Sequence, residues 1–394
     1  MKVAGSEQIP KQIIKGRIKI IIFCAYFYPH EGGVEKYVKE LCKDIEGVDV
    51  TIVTCNTEDA RFHEKKFGFD IYRLDCWNLV NGNYPVLSFK GIAQLKEISK
   101  IPADWIITNT RFFNISFFGT LMAKKQNIRH LHIEHGTSHS KQGNIFVSLI
   151  NIIYDHTFGW YVIKKSDIAA GVSDAARRFS DHIHNRDTLL IRNCIDAKMF
   201  KKPSIGQQAK VRRSLGIKDG RILTFVGRII KAKGIGDLIE SLSGTKGIRL
   251  LIIGDGNYLL QIKKLCKAKG IEERCIFLGQ RNIDDIIKYL GITDIFVNPS
   301  YTEGLPTSVL EAGAMGVPII ATDVGGTREI ITDKVDGYLI RPHDISGMHK
   351  KILELLDDAK LSKEFSSNIR KKVLREFDWK NERKKFLQLL REKN

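Results

Sequence analysis

Basic side chains follow a strand-like apolar run in the second half of the chain. Arg228 and Lys233 come directly after Ile222–Val226, in the segment Gly-Arg-Ile-Ile-Lys-Ala-Lys-Gly that covers residues 227–234. Arginine can clamp phosphate oxygens through two hydrogen bonds, and lysine supplies a point charge. The segment therefore predicts a phosphate-binding site, with a solvated basic loop as the alternative.

Two carboxylates follow another such run, Ile295–Asn298. Glu303 is the first and Glu311 the last residue of the segment Glu-Gly-Leu-Pro-Thr-Ser-Val-Leu-Glu. Pro306 in this segment suits the first turn of a helix, because its missing N–H costs nothing there. Glu303 would then lie just before the helix and Glu311 about two turns into it, and eight residues advance roughly 12 Å along a helix axis. We therefore expect the two carboxylates to contact opposite ends of an elongated ligand, while free helix N–H groups face an anion. The alternative is ordinary helix capping by Glu303 and a surface position for Glu311.

Glycine and histidine mark two loops in the first half of the chain. Gly32 and Gly33 follow the run Ile18–Cys24 and open a helical pattern, where glycine lets a ligand approach the backbone. His135 ends a further run, in Ile-Glu-His-Gly-Thr at 133–137. A histidine beside glycine at a strand end favours a place lining a cleft, and a purely structural histidine is the alternative.

Two series of β-branched runs separated by helical patterns would position these loops. The first series is Ile18–Cys24, Val50–Cys55, Trp105–Thr108, His130–Glu134 and Ile168–Val172. The second series is Ile222–Val226, Arg249–Ile253, Cys275–Leu278, Ile295–Asn298 and Pro318–Ala321. Nearly continuous Ile, Val and Leu are typical of parallel strands that are buried on both faces. We predict an α/β fold with two doubly wound sheets, in which ligands bind beyond the carboxyl ends of the strands.

A polar stretch with proline and glycine, Asn193–Gln208, marks a domain boundary. We predict two Rossmann-like domains, at 1–195 and 196–375, and a C-terminal helix at 376–394. The region Ser346–Asn394 has two or three amphipathic helical patterns and no strand between them. From the residues alone, these helices could pack on either domain.

Composition excludes several classes of protein. With 394 residues, 43% of them hydrophobic and 27% charged, the chain can bury sizeable cores and is not globally disordered. It has no uninterrupted apolar run of about eighteen residues and no signal-peptide core, so we expect a soluble or peripheral cytoplasmic protein. Seven scattered cysteines without a C-x-x-C pair favour buried free thiols over disulfides or a zinc site.

The net charge of +18 favours an anionic partner, whether phosphates, nucleic acid or an acidic membrane surface. No signature of a nucleic-acid-binding module accompanies the charge, so nucleic acid is not expected as a partner. Gly254-Asp-Gly256 is only a fragment of a dinucleotide fingerprint, which argues against a nicotinamide dehydrogenase.

Five segments in order resemble one enzyme family. They are Pro29–Leu41, Gly171–Ser173, Arg192–Asp196, the pair Arg228 and Lys233, and Glu303–Glu311 with its continuation to Ile331. Together they resemble the retaining glycosyltransferases of family 4, with their E-x7-E motif, from Ile18 to about Leu390. The resemblance implies the GT-B architecture, in which two Rossmann-like domains face each other across a cleft. The domain at 1–195 would bind the acceptor and the domain at 196–375 the nucleotide-sugar, with C-terminal helices packing back and the last helix, at 376–394, returning to the N-terminal domain.

The resemblance also implies roles for matching residues. Arg228 and Lys233 would bind the donor diphosphate and stabilise it as it leaves, while Glu303 would contact the transferred sugar and Glu311 the nucleotide ribose. His135 would contact the sugar near the anomeric carbon. The implied catalytic residues are His135, Glu303, Arg228 and Lys233. The implied donor-binding residues are Gly32, Gly33, Arg228, Lys233, Gly304, Leu305, Thr307 and Glu311.

The activity implied is transfer of a hexose from a UDP- or GDP-sugar to a hydroxyl of a glycan or lipid-linked saccharide, with retention by same-face attack, for synthesis of cell-surface glycan or polysaccharide. No Asp-x-Asp motif is present, so neither metal nor cofactor is expected. The aromatic segment Lys141–Lys165 suggests contact with an anionic membrane, and a core helix is the alternative. A GT-B epimerase or phosphorylase-like enzyme, or a non-catalytic nucleotide- or nucleic-acid-binding protein, stays the alternative function.

Overall fold

A computed structural model describes residues 16–30, 32–79, 84–137 and 152–392. The chain forms two compact units. The first unit consists of Met1–Gly171, Arg177–Ile191 and Lys380–Asn394. The second unit consists of Val172–Ala176 and Arg192–Trp379.

The first unit contains an eight-stranded sheet and a separate hairpin. The sheet strands are β1 (Ile18–Phe23), β2 (Val48–Cys55), β3 (His63–Lys66), β4 (Phe69–Leu74), β7 (Trp105–Asn109), β8 (Arg129–Glu134), β9 (Ile168–Gly171) and β10 (Leu189–Leu190). The hairpin pairs β5 (Cys76–Leu79) with β6 (Tyr84–Leu87). The sheet order is β10-β9-β8-β7-β1-β2-β4-β3, and all pairs are parallel except β3 with β4.

The second unit contains a six-stranded parallel sheet. Its strands are β11 (Arg221–Val226), β12 (Ile248–Ile253), β13 (Cys275–Gly279), β14 (Ile295–Asn298), β15 (Ile319–Thr322) and β16 (Tyr338–Ile340). Their order is β13-β12-β11-β14-β15-β16. Each sheet grows in both directions from its first strand, so the strand order reverses between β1 and β7 in the first sheet and between β11 and β14 in the second. Such switch points leave a crevice at the carboxyl ends of the strands.

Helices follow most strands. In chain order, the described α-helices are α1 (Gly33–Cys42), α2 (Phe89–Ile98), α3 (Asn114–Gln126), α4 (Trp160–Lys165), α5 (Asp174–His184), α6 (Ile205–Ser214), α7 (Ile235–Ser241), α8 (Leu259–Ala268), α9 (Ile283–Leu290), α10 (Thr307–Met315), α11 (Thr327–Ile330), α12 (Ile345–Asp357), α13 (Ala359–Glu376) and α14 (Trp379–Arg391). A π-helix, Asp155–Gly159, precedes α4, and short 3-10 turns cover Lys231–Lys233 and Glu272–Arg274. Among these described helices none is both long and apolar enough to span a lipid bilayer.

The apolar runs become the cores of the two units. The Ile side chains of β1 and the Ile and Leu side chains of β12 are almost fully buried, because helices cover both faces of each sheet. The last helix, α14, packs in the first unit, where Phe386 and Leu390 are buried. The indole N–H of Trp105 donates to the Leu390 carbonyl oxygen at 3.0 Å.

The α/β class with two parallel-sheet Rossmann-like domains is confirmed. The strand prediction was incomplete, since it omitted β3 to β6, β10 and β16. Strand β3 reads His-Glu-Lys-Lys and lies at an exposed sheet edge, so it has no apolar run to reveal it. Strands β10 and β16 have only two and three residues.

Candidate active site

The two loops at the switch point of the second unit bring a lysine to a glutamate. Lys233 Nζ lies 2.6 Å from Glu303 Oε1. The first residue follows β11 and the second follows β14, and these strands are neighbours in the sheet. The amide of Asn298, the last residue of β14, also donates to Glu303 Oε1, at 3.4 Å. Glu303 is 9% exposed, so its carboxylate is held on the protein side of this loop.

Backbone contact between the two loops explains why residue 234 is a glycine. This residue has φ +64°, and a Cβ atom placed there would lie 2.0 Å from the carbonyl oxygen of Pro299. The amide of Tyr301 donates to the carbonyl of Ala232 at 2.8 Å. The lysine-bearing loop and the glutamate-bearing loop thus pack backbone against backbone, and only glycine fits where they meet.

Arg228 lies on the same loop and is exposed. Within the described part of the chain it makes no hydrogen bond or ion pair, so its guanidinium is available to an anion. The loop rests on the turn Gly254–Gly256: a Cβ at Gly254 would lie 1.9 Å from the Gly227 carbonyl oxygen, and the amide of Ile229 donates to the Asp255 carbonyl at 2.8 Å. The glycines of this turn therefore serve close packing under Arg228.

The segment from Glu303 to Glu311 is only partly helical. Helix α10 begins at Thr307, with Pro306 at its N-cap, so Glu303 lies before the helix and Glu311 lies inside it, as the sequence predicted. The first four residues form an irregular loop because the Gly304 carbonyl accepts from the amide of Gly326 at 2.8 Å and holds the backbone off the helix axis. Glu311 lies inside α10 and is 3% exposed, so the surface alternative for this residue is wrong.

Asn193, to which the sequence assigned no role, supports the start of α10. Its amide nitrogen donates to Thr307 Oγ1 at 2.9 Å and to the Leu305 carbonyl at 3.3 Å. Gly304, Leu305 and Thr307, which are expected to bind the donor, thus lie in a segment that is held by Asn193 on one side and by Gly326 on the other.

His135 follows β8 in the first unit. Its Nε2 lies 3.1 Å from Oδ1 of Asn109, the last residue of the neighbouring β7, and the ring of Tyr37 meets it edge-on with centroids 4.9 Å apart. Burial lowers the pKa of His135 to about 4, and the nearby Glu134 carboxylate opposes this only in part. The imidazole is therefore neutral at physiological pH.

Glu134 shapes the loop that carries His135. Its Oε1 accepts the amides of His135 and Gly136 at 2.9 and 2.6 Å, and its Oε2 lies 3.0 Å from Arg111. Arg111 in turn pairs with Asp155 of the π-helix at 2.9 Å. Burial alone would raise the pKa of Glu134, but the Arg111 charge and these hydrogen bonds lower it well below its ordinary value.

Gly32 and Gly33 begin α1 beyond the end of β1. A Cβ at Gly32 would lie 2.4 Å from Glu35 Oε2, whereas a Cβ at Gly33 would meet no atom within 4 Å. The first glycine makes room for Glu35, and the second faces open space.

The sequence reasoning missed Asn109, Arg111 and Asn298. Each lies at or just after the carboxyl end of a buried strand, and a polar residue closing an apolar run is the signal that could have found them. Among the described residues no group of three or more His, Cys, Asp or Glu side chains is arranged to hold a metal ion.

Comparisons with known proteins bear on this geometry. The family described as "Glycosyl transferases group 1" matches residues 207–372, and "Glycosyltransferase Family 4" matches residues 31–198. The chain therefore belongs to the family 4-type glycosyltransferases of GT-B fold, and it is a glycosyltransferase.

Individual relatives can be aligned with most of the chain. The uncharacterized glycosyltransferase MJ1069 of Methanocaldococcus jannaschii is 28% identical, over 86% of this chain and 89% of the relative. A GDP-mannose-dependent monoacylated alpha-(1-6)-phosphatidylinositol monomannoside mannosyltransferase of Corynebacterium glutamicum is 24% identical, over 86% of this chain and 88% of that protein. The crystal structure of Anabaena Alr3699/HepE in complex with UDP-glucose superposes with a TM-score of 0.77 and 19% identity, over 95% of this chain and 99% of that one.

Proposed function

We propose that the protein is a retaining, metal-independent hexosyltransferase. It transfers a sugar from a UDP- or GDP-sugar to a hydroxyl of a glycan or lipid-linked saccharide, in the synthesis of cell-surface glycan or polysaccharide. The observation that carries the proposal is the contact of Lys233 with Glu303 beside the exposed Arg228, which has no partner among the described residues.

Breaking a sugar–phosphate bond builds negative charge on the departing nucleoside diphosphate. Arg228 and Lys233 follow β11 at the carboxyl edge of the sheet, so both cations can receive that charge without a metal. Glu303 keeps Lys233 in place before the donor arrives. In the proposed reaction Glu303 is an electrostatic contributor that faces the sugar and not a nucleophile. Glu311 binds the nucleotide ribose from within α10.

A nucleotide panel tests this function. Thermal unfolding is measured in EDTA with UDP, GDP, ADP, UDP-glucose and GDP-mannose, for the wild type, Arg228→Ala, Glu311→Ala and the control Lys231→Ala. We expect one nucleoside diphosphate to stabilise the wild type and the control but neither site variant. A folded wild type that responds to none of these ligands would contradict the proposal.

We also propose a lipid-linked acceptor and peripheral attachment to the cytoplasmic face of a membrane. The support is a set of exposed apolar side chains before two exposed lysines: Ile153 is 55%, Phe158 46% and Trp160 41% exposed, and Lys164 and Lys165 follow. Such a surface suits an interface between headgroups and acyl chains. Residues 141–151 of the segment expected to contact the membrane, Lys141–Lys165, lie outside the described residues.

Flotation tests the membrane proposal. We expect the wild type to float with vesicles that contain phosphatidylglycerol, and Ile153→Ser/Trp160→Ser to stay in the soluble fraction. Phe89→Ser is a matched control, because Phe89 is 82% exposed on a different helix, α2. A wild-type protein that stays in the soluble fraction with anionic vesicles would contradict the membrane proposal and leave the transferase proposal unaffected.

A further inference from the structure

Asn109 bridges two neighbouring strands beneath His135. Strand β7, which ends in Asn109, lies between β1 and β8. The Asn109 side chain is buried, with Oδ1 3.1 Å from His135 Nε2 and Nδ2 3.5 Å from the carbonyl oxygen of Phe23 in β1. One amide side chain thus contacts a backbone carbonyl on one side and the imidazole on the other.

These two contacts determine where the imidazole proton lies. A carbonyl oxygen only accepts hydrogen bonds, so the NH2 end of Asn109 must face Phe23 and its Oδ1 must face His135. Oδ1 is also an acceptor only, and therefore His135 Nε2 must carry a hydrogen. A neutral imidazole has a single N–H, which leaves Nδ1 of His135 with a lone pair.

Two further observations agree with a neutral ring in a fixed place. Burial lowers the pKa of His135 to about 4, so the doubly protonated ring is not populated near neutral pH. The edge contact with Tyr37 restricts the ring, and the Tyr37 hydroxyl is itself anchored on the Ile191 carbonyl at 2.9 Å. Within the described part of the chain, Nδ1 of His135 has no hydrogen-bond partner.

We propose that Asn109 is a positioning residue that locks His135 in the Nε2–H tautomer and so presents Nδ1 as a hydrogen-bond acceptor to a sugar hydroxyl. The proposal rests on the proposed function in one respect, namely that His135 contacts the sugar. The tautomer itself is a property of the protein alone. It can be measured without substrate, and the opposite tautomer would make His135 a donor at that position.

Nitrogen NMR of protein labelled with 15N-histidine tests the tautomer directly, because protonated and unprotonated ring nitrogens have well separated shifts. His135→Gln assigns the His135 signals. Asn109→Leu removes the acceptor, and Asn109→Asp restores an acceptor oxygen toward Nε2. Asn114→Ala is the matched control, since Asn114 is a half-buried asparagine of the first unit that binds the Leu87 amide instead.

We expect a protonated Nε2 and an unprotonated Nδ1 for His135 in the wild type, Asn109→Asp and Asn114→Ala, and exchange between tautomers in Asn109→Leu. With the donor that stabilises the wild type, UDP-glucose or GDP-mannose, we expect kcat of Asn109→Leu to fall by at least about tenfold, with partial rescue by Asn109→Asp and little change in KM for the nucleotide. A merely structural role of Asn109 would lower the melting temperature without moving the tautomer signals.

Three results would overturn the proposal. The first is an Nδ1–H tautomer of His135 in the wild type, and the second is an unchanged tautomer in folded Asn109→Leu. The third is unchanged kcat in an Asn109→Leu protein that has lost the tautomer. A wild type that has the expected tautomer but responds to no nucleotide instead contradicts the proposed function, so the two failures are distinguishable.

Discussion

Lys233 Nζ and Glu303 Oε1 lie 2.6 Å apart although 70 residues separate them in the chain. The contact exists because β11 and β14 are adjacent parallel strands, so the loops at their carboxyl ends must meet. It joins the basic loop to the start of the Glu303–Glu311 segment before any ligand is present.

Removing Lys233 should affect turnover far more than folding. We expect Lys233→Ala to lower kcat about a hundredfold to a thousandfold, the usual effect of losing one charge-stabilising donor. Its side chain is 21% exposed, and the Asn298 amide still donates to Glu303 in the variant, so we expect the protein to fold. Lys231→Ala is the control, because Lys231 is an exposed lysine of the same 3-10 turn. Equal effects of the two variants on donor turnover would show that only net charge matters.

Gly234→Ala should destabilise the second unit strongly. An L residue at φ +64° costs about 1–2 kcal/mol, and the new methyl group would also collide with the Pro299 carbonyl. Gly270 is a matched control, since it has the same φ of +64° and no atom within 4 Å of an added Cβ. In urea unfolding, we expect the free energy of unfolding to fall by about 1–2 kcal/mol in Gly270→Ala and by clearly more in Gly234→Ala. Similar losses in the two variants would mean that the two loops separate easily.

Two buried histidines should make the protein less stable in mild acid. Burial lowers the pKa of His130 to about 3 and that of His135 to about 4, while the unfolded chain has values near 6.5. The unfolded state therefore binds more protons below pH 6.5, and stability falls as pH drops from about 6.5 toward 4. Each histidine should cost about 1.4 kcal/mol per pH unit well inside that window.

Urea midpoints between pH 7.5 and 5.5 check this dependence. We expect His130→Asn to have a shallower loss of stability than the wild type. The exposed His182 is the control, and His182→Asn should leave the slope unchanged. A wild type as stable at pH 5.5 as at pH 7.5 would be at odds with neutral buried imidazoles.

Thr110 is strained beside the candidate site. This β-branched residue has φ +61°, and its buried hydroxyl has no hydrogen-bond partner among the described residues. Glycine avoids the steric cost of this conformation, about 1–2 kcal/mol, but loses more conformational entropy on folding. We therefore expect the free energy of unfolding of Thr110→Gly to exceed that of the wild type by about 0.5–1 kcal/mol. Asn127→Gly, at φ +55°, should gain less because asparagine tolerates this conformation. Denaturant midpoints of both variants test the difference, and a Thr110→Gly protein less stable than the wild type would show that the side chain makes a favourable contact.

Several elements of the fold could be predicted from the sequence because burial on both faces demands continuous apolar runs. The prediction found both strand series and matched strand β14, Ile295–Asn298, to the residue. It missed β3, whose His-Glu-Lys-Lys sequence carries no such signal at a sheet edge. It did not predict how the segment before α10 is held, since the hydrogen bond that the Gly304 carbonyl accepts comes from Gly326, in a different loop.

The candidate site, like the fold, could be predicted from the sequence only in part. Residue type and strand-end position by themselves singled out Arg228, Lys233, Glu303 and His135, because phosphate recognition requires basic groups and parallel strands end in loops. Only the tertiary structure decided which side chains meet: Lys233 with Glu303, and His135 with Asn109, 26 residues before it in the chain. The physical reason is that strand order, and not spacing along the chain, brings loops together, and strand order follows from how helices and sheets pack as a whole.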